Sequence, residues 1–402
     1  MKTSNKIIEI KRIEILNYSK NVFLSGNYFL LIVAFLSFIF HPYITLLIAA
    51  VVQVFIKIKS YIFIPIYSLA LVFYWSMRKI GISWSTGKDD IPAYISYFLE
   101  TRNQSFLDLF NAFIETPFGR EIGFSILNYL IGIITSNEFI YLFIIYLLIL
   151  SLLFCCSVKV SKRYFLIYFF LVFFGLGGFA QQGGLHLIRS SIAALIFFYG
   201  LLINDENNKL SLFFIIFSGL VHLAILPIAL FSVFFIKSKF FSNWFVIIIS
   251  SFLTAAFVSY LVSIYDLEFL ESRLLYIQDG SFELVNIIQI FLILAIILIL
   301  NYKDKNKIFL FSIWIILFVN LMFVFLPSFS FILNRYLFIL SFFIAFLLFK
   351  IIIKIKYKPI LVLILLALFI RKFNVLSKSE FIENAFYNDF SNLISFYIKT
   401  IF

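Results

Sequence analysis

Long apolar runs with few charges restrict the fold of this chain more than any other feature of its sequence. The run from Phe139 to Cys156, for example, contains no charged residue. Hydrophobic residues make up 63% of the chain and charged residues 13%, whereas soluble domains are about half apolar and a quarter charged. Runs of about 20 apolar residues span a bilayer as helices, and a transmembrane barrel would show short alternating segments instead. The sequence therefore predicts an all-α, polytopic integral membrane protein.

The apolar runs and the connectors between them predict a single transmembrane domain over residues 1–402, with about 11 to 13 transmembrane helices. The basic segment at the start indicates a cytoplasmic N-terminus. A large outer loop is expected over residues 78–137 and a second outer loop over residues 266–283. Lys209 and Lys237 flank residues 210–236, so this segment should enter and leave the membrane on the same side, as a short hairpin or a broken re-entrant pair.

Lysines and arginines separate once the connectors are assigned to sides. Most lysines fall on the cytoplasmic side, so the net charge of +12 reflects membrane topology and does not indicate a nucleic-acid partner. Arginines instead gather on the outer side, namely Arg78, Arg102, Arg120, Arg189, Arg273, Arg335 and Arg371. Because a guanidinium group matches phosphate oxygens bidentately, these arginines indicate an anion site on that side.

Arg189 gives the sharpest signal among these arginines. It follows Gly183 and Gly184 and opens an apolar segment, so it could bind an anion at a helix N-terminus, where free N–H groups and the helix dipole assist. Arg335, followed by Tyr336, repeats this situation after Pro327. The alternative is that each arginine only extends its side chain to the lipid headgroups.

Two histidines and several acidic residues are candidates for proton transfer. His222 lies within an apolar segment, where an ionisable group is costly and often functional, and His186 is its rival because it is closer to Arg189 in the sequence. Asp89 and Asp90 form an acidic pair in the predicted outer loop. A packing role for either histidine, and a solvated loop for the acidic pair, remain open alternatives.

In their order along the chain, these pieces resemble the EpsG-like, Wzy-type polysaccharide polymerases. The similar elements are Gly87-Lys88-Asp89-Asp90 with Tyr94, Glu121-Ile122-Gly123-Phe124, Arg189-Ser190-Ser191-Ile192-Ala193, the segment ending near His222, and Arg335-Tyr336. The sequence departs from the family pattern where Ile122 replaces a proline, Ser190 replaces a glutamine, and Lys88 is inserted before the acidic pair. The resemblance extends over about residues 75–340.

The resemblance implies a polymerase of O-antigen or capsular polysaccharide in the bacterial inner membrane. Its substrate would be an oligosaccharide repeat unit on undecaprenyl diphosphate, and the growing chain would pass onto the next lipid-linked unit on the outer leaflet. A protein that regulates chain length would be a further partner. The implied catalytic residues are His222, Arg189 and Asp90, and the implied substrate-binding residues are Arg335, Tyr336, Glu121, Tyr94, Asp89, His186 and Arg273. Asp90 and Glu121 are rivals of His222 as the base that takes the hydroxyl proton. Arginines can stabilise the leaving diphosphate, so neither a metal ion nor a cofactor is expected.

Two other functions are compatible with the same residues. Asp89 and Asp90 would also suit a glycosyltransferase that uses a polyprenyl-phosphate sugar, although about three spans precede them here. A flippase for lipid-linked oligosaccharides would also contain about a dozen helices, but such transporters tend to show internal repeats and short loops. No Walker A, zinc or nucleophile-elbow pattern occurs, so ATP hydrolysis and serine-triad chemistry are not expected.

Overall fold

The computed structural model describes residues 28–38, 42–56, 63–76, 91–115, 121–175, 187–264, 306–326 and 330–377, together with a few positions between 288 and 299. All regular elements in these residues are helices, which confirms the all-α prediction. Two of them, Glu138–Val160 and Lys307–Phe325, are long and apolar enough to cross a membrane, and several shorter helices are equally apolar. The protein is thus an all-α polytopic membrane protein, as the sequence predicted.

The main helices are numbered here in chain order. The first seven are α1 (Pro42–Phe55), α2 (Phe63–Ser76), α3 (Ile91–Thr101), α4 (Phe106–Glu115), α5 (Ile122–Ile134), α6 (Glu138–Val160) and α7 (Phe165–Phe174). The remaining seven are α8 (Ile188–Leu202), α9 (Asn208–Val221), α10 (Leu226–Lys237), α11 (Trp244–Ile264), α12 (Lys307–Phe325), α13 (Ser330–Ile352) and α14 (Lys358–Ser377). Short 3₁₀ turns lie at Leu223–Ile225 and Phe240–Ser242.

Asparagine side chains fix the start of two of these helices. The Asn207 side chain accepts a hydrogen bond from the Leu210 N–H at 3.0 Å, before α9. The Asn306 side chain accepts from the N–H groups of Ile308 and Phe309, before α12. Each asparagine satisfies backbone donors that the first helical turn leaves without an intrahelical partner. Pro227 lies in the first turn of α10, where its missing N–H costs nothing.

The segment between Lys209 and Lys237 is a helical hairpin, as predicted. Helix α9 ends at Val221, the backbone at His222 is not helical, and α10 runs from Leu226 to Lys237. The two helices pack against each other, and Gly219 allows this because a Cβ there would lie 2.5 Å from Leu226 Cδ1. The helix break therefore places a histidine at the tip of a short hairpin.

Other boundaries differ from the predicted ones. The described part of the predicted loop 78–137 contains three helices, α3, α4 and α5, because its apolar residues recur at helical spacing. Helix α13 begins at Ser330, so Arg335 lies more than one turn inside the helix and not at its start.

The chain forms two compact units, the first made of residues 1–89, 142–170 and 355–402 and the second of residues 90–141 and 171–354. In the first unit, buried tyrosine and tryptophan side chains pair across helices, with Trp75 Nε1 donating to Tyr43 Oη at 3.0 Å. In the second unit, α8 packs against α9 and α13, and aromatic rings such as Phe197 and Phe343 fill the core. The candidate site lies within the second unit.

Candidate functional site

Three helix ends of the second unit meet at one point. Arg189 is the second residue of α8, His222 follows the last residue of α9, and Glu121 directly precedes α5. The glutamate is 68 residues from the arginine and 101 residues from the histidine along the chain. Folding therefore gathers an acid, a cation and a histidine from three separate segments.

The Glu121 carboxylate holds both partners. Its Oε2 accepts a hydrogen bond from Arg189 Nη1 at 2.6 Å, and its Oε1 lies 2.5 Å from His222 Nδ1. Oε1 also accepts from the Leu223 N–H at 3.2 Å. Because an ionised carboxylate can only accept, Nδ1 of the histidine must donate its proton to this contact. In the neutral imidazole the lone pair is then on Nε2, where it is available to accept a proton.

The same carboxylate satisfies the backbone at the helix break. Because the helix is interrupted at His222, the Leu223 N–H lies at the start of the 3₁₀ turn, where it lacks an intrahelical acceptor. Glu121 supplies that acceptor and makes no side-chain hydrogen bond that would cap its own helix α5. A buried backbone donor needs such a partner, so Glu121 stabilises the hairpin tip and orients the imidazole at once.

A glycine brings α5 close enough for these contacts. A Cβ on Gly123 would lie 2.8 Å from the Val221 backbone nitrogen and 2.9 Å from the Leu220 carbonyl atoms. Real Cβ atoms do not approach backbone so closely, so only glycine permits this contact between α5 and the end of α9. The close approach sets Glu121, two residues before the glycine, beside the histidine.

Helix α3 supports the arginine and the glutamate from another side. The Arg189 guanidinium lies over the Tyr94 ring, with Cζ 5.5 Å from the ring centroid, a cation–π distance. Tyr94 packs edge-on against Phe124. Tyr97 hydrogen-bonds to Ser125, whose hydroxyl donates to the Glu121 carbonyl at 3.0 Å. The Tyr94 ring thus positions the Arg189 guanidinium, while the hydroxyls of Tyr97 and Ser125 hold the backbone at Glu121.

The site is buried on one side and accessible at the arginine. The side chains of Glu121 and His222 are 11% and 7% exposed, while that of Arg189 is 34% exposed. Arg189 Nε is buried and has no hydrogen-bond partner among the described residues. Glu121 and Tyr94 engage only part of its five N–H donors, so the exposed part of the guanidinium group retains donors for a further anion. A purely structural ion pair would not need this remaining capacity.

Four residues singled out from the sequence therefore come together: Tyr94, Glu121, Arg189 and His222. Asp89, Asp90, His186 and Arg273 lie outside the described residues. Arg335 and Tyr336 belong to α13, and the structure describes their backbone only. The roles predicted for these residues stay predictions.

Sequence reasoning missed two features of the site. It assigned no role to Gly123, although a glycine two residues after a conspicuous glutamate could have indicated a close backbone approach. It also treated Glu121 as a substrate ligand or a rival base and did not foresee the contacts that join it to both Arg189 and His222. No local pattern carries that information, because the contacts join distant segments.

The model of the EpsG family matches residues 66–391 of the chain. That range contains all ten residues proposed from the sequence for catalysis or substrate binding, including the four that meet at the site. No curated protein and no solved structure matches the chain.

Proposed function

Since the chain belongs to the EpsG family of Wzy-like polysaccharide polymerase-type membrane proteins, we propose that it polymerises lipid-linked oligosaccharide repeat units. Its substrates would be two glycans on undecaprenyl diphosphate, presented at the outer leaflet of a bacterial inner membrane. The product would be an O-antigen or capsular polysaccharide extended by one repeat unit. The observation that carries this proposal is the Glu121 carboxylate bound to both Arg189 and His222.

In the proposed reaction, a hydroxyl of the acceptor glycan attacks the anomeric carbon of the donor chain. The new glycosidic C–O bond forms while the bond from the anomeric carbon to the diphosphate oxygen breaks. His222 Nε2 takes the hydroxyl proton, and Glu121 holds the ring through Nδ1 and balances the charge of the imidazolium. The leaving group is the lipid diphosphate, and the proton on His222 is later released to water.

Arg189 would stabilise the diphosphate as it gains negative charge. Its position in the first turn of α8 adds backbone N–H groups and the positive end of the helix dipole to the guanidinium. Donors fixed before the reaction cost no reorganisation when charge develops. Arg335 would be the second phosphate ligand and Asp90 a rival base, both proposed from the sequence.

We further propose that this site lies below the outer surface of the membrane. Helices α9 and α10 have 14 and 12 residues, so at about 1.5 Å per residue they are roughly 21 and 18 Å long. Both lysine-flanked ends would lie on the cytoplasmic side, and the hydrocarbon core is about 30 Å thick. The hairpin tip with His222 therefore ends within the membrane, at a level that a lipid-linked substrate reaches without leaving the bilayer.

The test uses purified protein in nanodiscs with lipid-diphosphate-linked repeat units and no nucleotide. We expect a ladder of products that increases by one repeat unit, and no ladder from His222→Ala. Chelators should leave the ladder unchanged, because the proposed chemistry needs no metal ion. Inhibition that a divalent cation reverses would instead favour the polyprenyl-phosphate-sugar glycosyltransferase.

The flippase alternative gives a different result in the same preparation. Substrate that crosses between the leaflets of liposomes, with no ladder in nanodiscs, would contradict the polymerase and the base assigned to His222. A ladder from His222→Ala equal to that of the natural chain would also remove the assignment of the histidine as the base.

A further inference from the structure

Helix α4 (Phe106–Glu115) divides into an apolar and a polar face. Its start is fixed by a reciprocal cap, in which Asp108 Oδ2 accepts from the Ser105 hydroxyl at 2.7 Å and the Asp108 N–H donates to the Ser105 hydroxyl at 3.2 Å. At helical spacing Phe106, Leu107 and Phe110 share one arc, while Asp108 lies on the opposite side of the helix and Asn111, four residues after Leu107, lies at the edge of the arc. The helix is therefore amphipathic.

The protein covers only one edge of the apolar arc. Helix α4 packs against α5. Leu109 is buried there, and the ring centroids of Phe106 and Tyr129 are 6.3 Å apart. Phe106, Leu107 and Phe110 are nevertheless 51%, 70% and 46% exposed. Three large apolar side chains on one short helix thus lie open.

The exposed face continues onto the neighbouring helix. Leu130, Ile133 and Ile134 of α5 are 52%, 68% and 73% exposed. Apolar surface of this extent on a membrane protein is expected to face acyl chains. At 10 residues and about 1.5 Å per residue, α4 is roughly 15 Å long and too short to cross a bilayer.

We propose that α4 lies in the plane of the membrane at the boundary between headgroups and acyl chains, with Leu107 and Phe110 inserted and Asp108 directed to water. This is the arrangement that an amphipathic helix adopts on a lipid surface. Because α4 contacts α5 at Tyr129, it connects the membrane surface with the helix that Glu121 precedes. Eight residues separate Tyr129 from Glu121, or about 12 Å along α5, so lipid contact at α4 fixes the level of the site in the bilayer.

The test places a spin label on each face of α4. Phe110→Cys and Asp108→Cys, about 160° apart around the helix, are made in a chain with Cys155→Ser and Cys156→Ala, labelled, and reconstituted in nanodiscs of neutral phospholipid. We expect the label at 110 to collide with oxygen and to be shielded from a water-soluble nickel chelate, and the label at 108 to show the reverse.

Two results would overturn the proposal. Equal access of the nickel chelate to both labels would mean that α4 stands in water. An immobile label at 110 that neither reagent reaches would mean that protein, such as a second copy of the chain, covers this face.

A second measurement leaves both cysteines in place. Phe110→Trp should add fluorescence that brominated lipids quench, whereas Asp108→Trp should add fluorescence that they leave unquenched. Equal quenching of the two variants would contradict the proposed orientation.

Discussion

Polar groups are buried in both units of this protein, and the two units differ in whether the buried groups include charges. In the first unit the groups are neutral: Tyr67 donates to the Pro42 carbonyl at 2.8 Å, and the Gln53 side chain accepts from the Leu166 N–H at 2.8 Å. The second unit also buries neutral groups such as Asn128 and Asn320, but in addition it contains a charged pair, Glu121 and Arg189, which meet at helix ends. The first arrangement joins helices, whereas the second concentrates charge at one accessible point.

The energetic cost of the two arrangements explains why they serve different purposes. A neutral buried hydrogen bond adds about 1 kcal/mol to stability. A buried ion pair often costs as much in desolvation as it gains, and apolar residues can replace it without loss of stability. Stability alone therefore gives little reason for the charges at the site, and the remaining donors of Arg189 give a functional reason.

The largest effect is expected from replacing Arg189. Arg189→Ala should lower polymer formation by about 10³-fold or more, because it removes the phosphate donors and leaves Glu121 without its cation. Arg189→Lys should lower it by about 10²-fold, because a point charge cannot form the bidentate contact. The measurement is the initial rate of ladder formation per folded molecule.

Arg163 provides the matched control for Arg189. Its guanidinium also lies over a tyrosine ring, with Cζ 4.7 Å from the centroid of Tyr164, but it belongs to the first unit and has no acid partner among the described residues. Arg163→Lys should leave the rate unchanged. Equal losses from the two lysine variants would mean that Arg189 acts through ring packing and not through phosphate binding.

The next effect concerns the orientation of the histidine. Glu121→Gln keeps the shape of the side chain but removes its negative charge. It also introduces an amide donor that faces Arg189 or His222. We expect a loss of about 10²-fold in kcat with a smaller change in KM, because the variant disturbs the base more than the binding of substrate. A change confined to KM would instead indicate that Glu121 binds the glycan, as the sequence first predicted.

The sequence predicted much of the fold, because each membrane helix corresponds to an apolar run that is visible in the sequence. The hairpin around His222 was also predictable, since Lys209 and Lys237 flank it and a histidine interrupts its apolar residues. The pairing of Glu121 with Arg189 was not, because it depends on how α5 approaches α8 and α9. That approach depends on Gly123, whose importance is a property of packing and not of any local pattern.

A moderate effect is expected at this glycine. Gly123→Ala forces α5 away from the Val221 backbone by several tenths of an ångström, which should lengthen the contact between Glu121 and His222. We expect a loss of about 10-fold in the rate per folded molecule, since small misplacements at an active site are costly. The thermal unfolding temperature in detergent should fall as well.

Gly200 separates the two causes of that loss. A Cβ at this position would lie 3.0 Å from Ile215 Cγ1 and 3.1 Å from Phe214 Cβ, so Gly200→Ala also crowds a helix contact. It lies 11 residues after Arg189, about 16 Å along α8. Gly200→Ala should lower stability and leave the rate of the folded enzyme unchanged. A similar loss of rate in both variants would show that helix packing in general, and not the contact at Glu121, limits activity.

The smallest effect on activity is expected in the first unit, at Gln53. This side chain is 1% exposed, and its oxygen accepts from the N–H groups of Leu166 and Ile167 at the start of α7. Gln53→Met keeps the volume and removes the acceptor, which should destabilise the protein by about 1–2 kcal/mol. Ile48→Ala, at an exposed position of α1, is the control and should change stability less.

Ladder formation per folded molecule should equal that of the natural chain in both variants, because a neutral helix cap contributes no charge to the reaction. A loss of rate in Gln53→Met at unchanged stability would contradict the division between a supporting region and a reactive one.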